Sequence, residues 1–173
     1  APLFKVVASS QFDSTTPGTL GELLPQEAIA APLAARTRQS VIDAMIDLAT
    51  QTGRLWDPDR MRDAVKQRED LHSTALENGV ALLHPRRPLP AILDGPFLAL
   101  GVTSSGIPFG DARGRLTDVF FLICSVDDRG HLRTLARIGK FISDSQALDE
   151  IRNASSPYEL RELLLASEER IFG

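Results

Sequence analysis

Three short apolar runs, residues 79–83, 97–102 and 119–126, lie between segments with helical spacing, and this alternation constrains the fold more than any other feature of the chain. Runs this short, rich in Val, Leu, Ile and Phe, read as buried strands. The flanking helices carry their own start and stop signals. Thr37 caps a helix expected over residues 38–52, with Val41, Met45, Leu48 and Ala49 at helical spacing and Gly53 as its stop. Asp57-Pro58 opens a second helix to about Glu69, with proline at its first position. After Gly130, His131, Leu135, Ile138 and Ile142 recur at i, i+4, i+7 and i+11. A short helix is expected over residues 145–153, and Ser156-Pro157 caps the last one, whose apolar face is Leu160, Leu163, Leu164 and Ile171. A shorter helical piece begins at Leu20 and is closed by Pro25. The Gly- and Pro-containing stretch 104–115 reads as a loop. Helices that precede, separate and follow a group of strands indicate a mixed α/β layer architecture.

The chain has 173 residues, which suits one domain at about 150 residues each. Ser14-Thr15-Thr16-Pro17-Gly18 marks a boundary. Residues 1–17 are therefore expected to be a lead-in or linker remnant, with an edge strand or a tail over the first twelve, and residues 18–173 the folded domain. The chain begins with Ala, so either an initiator was removed or this is a piece of a longer polypeptide. Lys plus Arg number 19 against 23 Asp plus Glu, a net charge of −4, which argues against a general nucleic-acid binder. The longest apolar run falls far short of the ~20 residues of a spanning helix, and the N-terminus lacks a signal-peptide pattern, so no membrane insertion is expected. A single cysteine, Cys124, excludes an internal disulfide and a zinc site of several thiolates, and fits a reducing cytoplasm.

Only three histidines are present: His72, His84 and His131. His84 leaves the first apolar run and precedes Pro85, which biases it towards an extended backbone. A histidine at a strand exit can hold its ring at the surface while its neighbours stay in the core. With an unperturbed pKa of about 6.5 it offers a neutral, nucleophilic nitrogen near pH 7. Arg68 and the Ser73-Thr74 pair lie just upstream, a cation and hydroxyls of the kind that stabilise phosphoryl charge. The plainer readings are a packing or turn role for His84, a buried hydrogen-bonded role for His131 on its helical stripe, and a surface salt bridge for Arg68 worth about 0–1 kcal/mol. Arg86 and Arg87 could face an acidic partner or simply be solvated, and Cys124 reads as a small core residue.

Taken together, Arg68-Glu69, Ser73-Thr74 and Gly79-Val80-Ala81-Leu82-Leu83-His84, followed by the long apolar run and Gly130-His131-Leu132, resemble one family. It is the enzyme IIA domains of the mannitol and fructose type in the bacterial sugar phosphotransferase system, including the nitrogen-regulatory IIA proteins. The resemblance covers approximately residues 18–173, and Arg68 and His84 are sixteen residues apart, similar to the family spacing. One departure is Leu83, where the family usually has proline; here proline follows the histidine. The resemblance implies a mixed sheet of about five strands flanked by helices on both faces, a three-layer sandwich like mannitol IIA. It implies a phosphohistidine carrier that accepts a phosphoryl group from an HPr-like protein on His84 and passes it to a IIB domain, or holds it for regulation. It implies that His131 positions the first histidine, that Arg68 offsets phosphate charge, and that Thr74 and, less directly, Ser73 supply hydroxyls. No metal or cofactor is implied. Two other classes stay open: a non-catalytic IIA-like sensor, such as part of a transcriptional regulator, and a metal-dependent hydrolase using the three histidines.

Overall fold

A computed structural model describes residues 18–173. Among them, α1 (Leu20–Leu23) and β1 (Ile29–Ala30) lead into a helical pair, α2 (Arg38–Thr50) and α3 (Pro58–Leu71). Then come β2 (Val80–Leu83), β3 (Phe97–Pro108), β4 (Leu116–Cys124), α4 (Asp128–Ile142), α5 (Ser145–Arg152) and α6 (Pro157–Phe172). The helices start where polar caps stand. The side chains of Thr37, Asp57, Asp127, Asp144 and Ser156 each accept from a backbone N–H of the first turn, a bond worth about 1 kcal/mol at each site.

The strands form one mixed sheet in the order β1-β3-β4-β2. The outer pairs, β1 with β3 and β2 with β4, are parallel, and the central β3–β4 pair is antiparallel. Residues Val119 to Cys124 of β4 are all buried, so that strand is covered on both faces. The helices pack as two groups, α2 with α3, and α1 with α4, α5 and α6, and the sheet lies between them. Phe97, Phe120, Phe121 and Phe141 are fully enclosed, each contributing about 1.5–3 kcal/mol by burial. The second group is tied by one buried carboxylate. Glu168 accepts from the N–H groups of Leu20 (2.6 Å) and Gly21 (3.0 Å) and from Arg137 Nε (2.7 Å). A buried charge with all these partners is tolerated where an unpaired one would not be, and it fixes α4 against α1 and α6.

The resemblance implies about five strands; four lie among the described residues, and the edge strand or tail expected over residues 1–12 lies outside them. The stretch 104–115, expected as a loop, is partly strand. β3 continues to Pro108 and pairs Ile107 with Thr117 and Pro108 with Leu116 after an irregularity beyond Val102. The polar, Gly-containing residues there conceal a strand that bulges and resumes. The helix expected after Gly130 begins at Asp128, because Asp127 is its cap.

The start of β2 is clamped by α5. Arg152 Nε donates to both carboxylate oxygens of Asp118 (3.0 and 3.1 Å), and its Nη2 donates to the Asn78 carbonyl. Gly79 lies in this clamp at φ +84°, and a methyl group there would overlap the Arg152 guanidinium and come within 3.1 Å of Asp118 Oδ1. Gly79→Ala is expected to lower stability by about 1–3 kcal/mol. Gly139→Ala, on α4 with open space around the added methyl, is expected to raise it by about 0.5–1 kcal/mol. Urea denaturation of the two variants checks the opposite signs.

Candidate functional site

Two strand exits converge because β2 and β4 run parallel in register, Leu83 opposite Leu122. Their carboxyl ends therefore open at the same edge of the sheet, the usual place for a site in an α/β layer fold. β2 ends in His84. β4 ends at Cys124, and Ser125 and a short turn lead into α4, whose first turn carries His131. The two imidazoles, both half-buried, lie 4.8 Å apart centre to centre and tilted by 57°.

Each ring is held through its Nδ1. His84 Nδ1 lies 2.8 Å from the Pro85 carbonyl oxygen. A carbonyl only accepts, so the neutral ring donates from Nδ1 and keeps its lone pair on Nε2. His131 Nδ1 lies 2.9 Å from Ser125 Oγ. Burial lowers the pKa of both rings below the ordinary 6.5. For His84 the Pro85 bond opposes this, the Arg68 guanidinium adds to it and Glu69 opposes it. For His131 the second cause is His84 itself, partly offset by Asp128.

The end of α3 supplies the charge nearby. Arg68 Nη1 donates to the His72 carbonyl at 2.6 Å, and its guanidinium is close enough to His84 to disfavour the imidazolium. Glu69 is buried and accepts from the Thr74 N–H (3.1 and 3.3 Å) and from the Thr74 hydroxyl. That pair pins the chain leaving α3. Ser73 Oγ donates to the Phe109 carbonyl (2.7 Å) and accepts from the Ala75 N–H (3.1 Å). The structure thus brings His84 and His131 into contact with Arg68 beside them, while the hydroxyls of Ser73 and Thr74 hold the loop before β2.

His72 is exposed, its Nδ1 donating to the Ser73 carbonyl at 2.9 Å. Among the described residues no group of three or more His, Cys, Asp or Glu side chains could hold a metal ion. Cys124 is buried and its thiol is pushed up to about 12 by burial, the state of an inert core residue. Arg86 and Arg87 are exposed and line an open groove beside His84 with Arg68, Leu71, Pro85 and Leu89. Three contributors escaped the sequence reading: Glu69 as the buried partner of Thr74, the Pro85 carbonyl, and Ser125. For Ser125 the only signal was a hydroxyl directly after the longest apolar run.

Comparison with known proteins shows the family and the fold. The family described as "Phosphoenolpyruvate-dependent sugar phosphotransferase system, EIIA 2" matches residues 22–167. The fructose-specific EIIABC component of the phosphotransferase system of Bacillus subtilis is 24% identical over 137 residues, covering 78% of this chain and 21% of that protein. The chain thus spans about a fifth of that relative's length. Among solved structures, the nitrogen regulatory protein IIA-Ntr from Neisseria meningitidis superposes with a TM-score of 0.73 at 21% identity, covering 83% of this chain and 97% of that one. The Escherichia coli complex of enzyme IIAMTL and phosphorylated enzyme IIBMTL gives a TM-score of 0.72 at 18% identity, covering 83% and 99%. The fold and the family model define a IIA-type domain of the phosphotransferase system. The chain belongs to the EIIA 2 family.

Both histidines are expected to titrate below 6.5, which imidazole NMR resonances followed against pH will show. The sign for stability follows. Between the lowered native values and the ordinary 6.5, the unfolded chain binds more protons than the native one. This contribution to stability is full above 6.5 and falls as the pH drops through that window. His84→Phe and His131→Phe are each expected to flatten the acid side of the urea midpoint against pH.

Proposed function

We propose that this domain is a phosphohistidine carrier whose acceptor atom is His84 Nε2. Its main support is the tautomer at His84. Nδ1 donates to the Pro85 carbonyl, so the lone pair lies on Nε2, and the lowered pKa keeps that nitrogen unprotonated at neutral pH. A neutral imidazole so held is a ready nucleophile.

In the reaction the His84 Nε2 lone pair forms an N–P bond with the phosphoryl group of a phosphohistidine on an HPr-like donor. The donor's own P–N bond breaks and its electron pair returns to the donor imidazole. Phosphoryl transfer asks the protein mainly for alignment and charge stabilisation. Arg68 offsets the charge on the phosphoryl oxygens, and its guanidinium has N–H donors beyond the one bonded to His72. His131, in ring contact with His84, orients the acceptor and hydrogen-bonds the group. Thr74 and Ser73 act through the loop they hold. The group then leaves to a IIB domain or stays as a regulatory mark, in the cytoplasm where an HPr-like donor is found. No metal or cofactor enters the step. Leu83, in the position of the family's proline, is fully buried in the strand, while the carbonyl that orients His84 belongs to Pro85.

Phosphoenolpyruvate, enzyme I and HPr should label the protein at His84, read by mass spectrometry of the intact chain and its peptides. His84→Ala should carry no label. Arg68→Ala and His131→Ala should slow labelling by about 10²-fold or more while remaining folded by circular dichroism. A chain that takes no label, or His84→Ala that keeps it, would overturn the assignment.

A further inference from the structure

Ser125 lies where the two halves of the site meet, at the carboxyl end of β4 and beside the first turn of α4. It is buried, 6% exposed, and among the described residues its Oγ makes one hydrogen bond, to His131 Nδ1 at 2.9 Å. The direction of that bond decides what His131 can do. If the hydroxyl donates, Nδ1 is the bare nitrogen and the neutral ring carries its hydrogen on Nε2. If instead Nδ1 donates, the Ser125 hydroxyl hydrogen has no acceptor among the described residues, which costs a buried donor its desolvation. The first arrangement satisfies both the hydroxyl and Nδ1.

We infer that Ser125 is a positioning residue that fixes His131 as the Nε2–H tautomer, so that His131 offers a hydrogen-bond donor to the phosphoryl group on His84. The inference rests on the carrier reading of His84. The chemistry favours one tautomer strongly. A phosphoryl oxygen only accepts, so an Nε2–H facing it forms a charge-assisted bond, whereas a bare Nε2 would set a lone pair against an anion. In a neutral imidazole the nitrogen that bears hydrogen is set by what the other nitrogen bonds, and here that partner is Ser125. The lowered pKa of His131 makes the choice matter, because near neutral pH the ring does not carry both hydrogens. Ser125 touches no reacting atom and works through His131 alone.

The test uses the full chain labelled with 15N at histidine, in wild type, Ser125→Ala and Ser125→Thr. Multiple-bond 1H–15N correlation reads the His131 tautomer directly, and labelling of His84 by phospho-HPr gives the rate. The wild type should show Nε2–H. Ser125→Ala should show a mixture with Nδ1–H and transfer about 10-fold more slowly, the loss of one hydrogen bond's orienting effect. Ser125→Thr, which keeps the hydroxyl, should restore both the tautomer and the rate, which a packing role for Ser125 would not predict. An Nδ1–H tautomer in wild type, an unchanged tautomer in Ser125→Ala, or a changed tautomer with an unchanged rate would each overturn the inference. Failure of the wild type to take label would overturn the carrier reading instead, and the tautomer spectra would still decide whether Ser125 controls His131.

Discussion

The parallel pairing of β2 with β4 is the interaction on which the rest of the site depends. His84 and His131 are forty-seven residues apart in the chain, yet the register Leu83 opposite Leu122 brings both strand exits to one edge. A slip of one residue would turn each side chain of β2 to the opposite face, disrupting the packing of the buried Val80 and Leu83, and would carry His84 away from α4. Two clamps prevent it. At the entrance, Arg152 grips Asp118 and the Asn78 carbonyl. The Gly79 carbonyl meanwhile accepts from the Asp118 and Val119 N–H groups. In the second helical group, Glu168 holds α1 and Arg137 of α4, so the helix that carries His131 is anchored as well as the strand that leads into His84.

In the proposed carrier, electrostatics at this edge serves two states at once. The acceptor must be neutral before transfer, and the transferred group is an anion afterwards. Arg68 favours both, since a guanidinium beside an imidazole disfavours the imidazolium and also stabilises phosphoryl oxygens. Half-burial acts in the same sense on the first state and strengthens the second, because charge interactions weaken less where water is partly excluded. Glu69 opposes Arg68 at His84, as the weaker of the two charges. Its carboxylate is buried against the backbone N–H and hydroxyl of Thr74, so the acid also orders the loop between α3 and β2.

What the sequence disclosed follows the range of the forces involved. Caps and periodicity are local, and Thr37, Asp57-Pro58 and Ser156-Pro157 begin their helices where the residues indicate. The three apolar runs are strands for the same reason. Residues 103–108 were not legible as strand, because Thr103, Ser104, Ser105 and Gly106 lack apolar alternation and the regular pairing with β4 resumes only at Ile107 and Pro108, beyond the irregularity. Within the site, the histidines and Arg68 stood out by residue type and spacing. Ser125, the Pro85 carbonyl and the Glu69–Thr74 pair did not, since a backbone acceptor carries no sequence mark and a lone serine after a strand is commonplace. Their roles exist only once β2, β4 and α4 are assembled. Ser73 marks the converse case: prominent in the sequence, it is bonded in the structure to the Phe109 carbonyl, at the turn after β3.

The two orienting contacts also bear on Leu83. A proline before the acceptor histidine stiffens the chain on its amino side; here the residue is an ordinary strand member, buried and in register with Leu122. The stiffness has moved to the carboxyl side, where Pro85 is buried and its carbonyl takes the His84 Nδ1 hydrogen. On the proposed carrier reading, the requirement on the chain is therefore not proline at one position but a ring whose Nδ1 is engaged and whose Nε2 is left unprotonated. Opposite it, His131 is engaged through Nδ1 as well, in the proposed arrangement by a hydroxyl that donates where the Pro85 carbonyl accepts. Two identical side chains thus receive opposite tautomers from their partners, one presenting a lone pair and the other a hydrogen, which is the complementarity an incoming phosphoryl group needs between an attacking nitrogen and a donor for its oxygen.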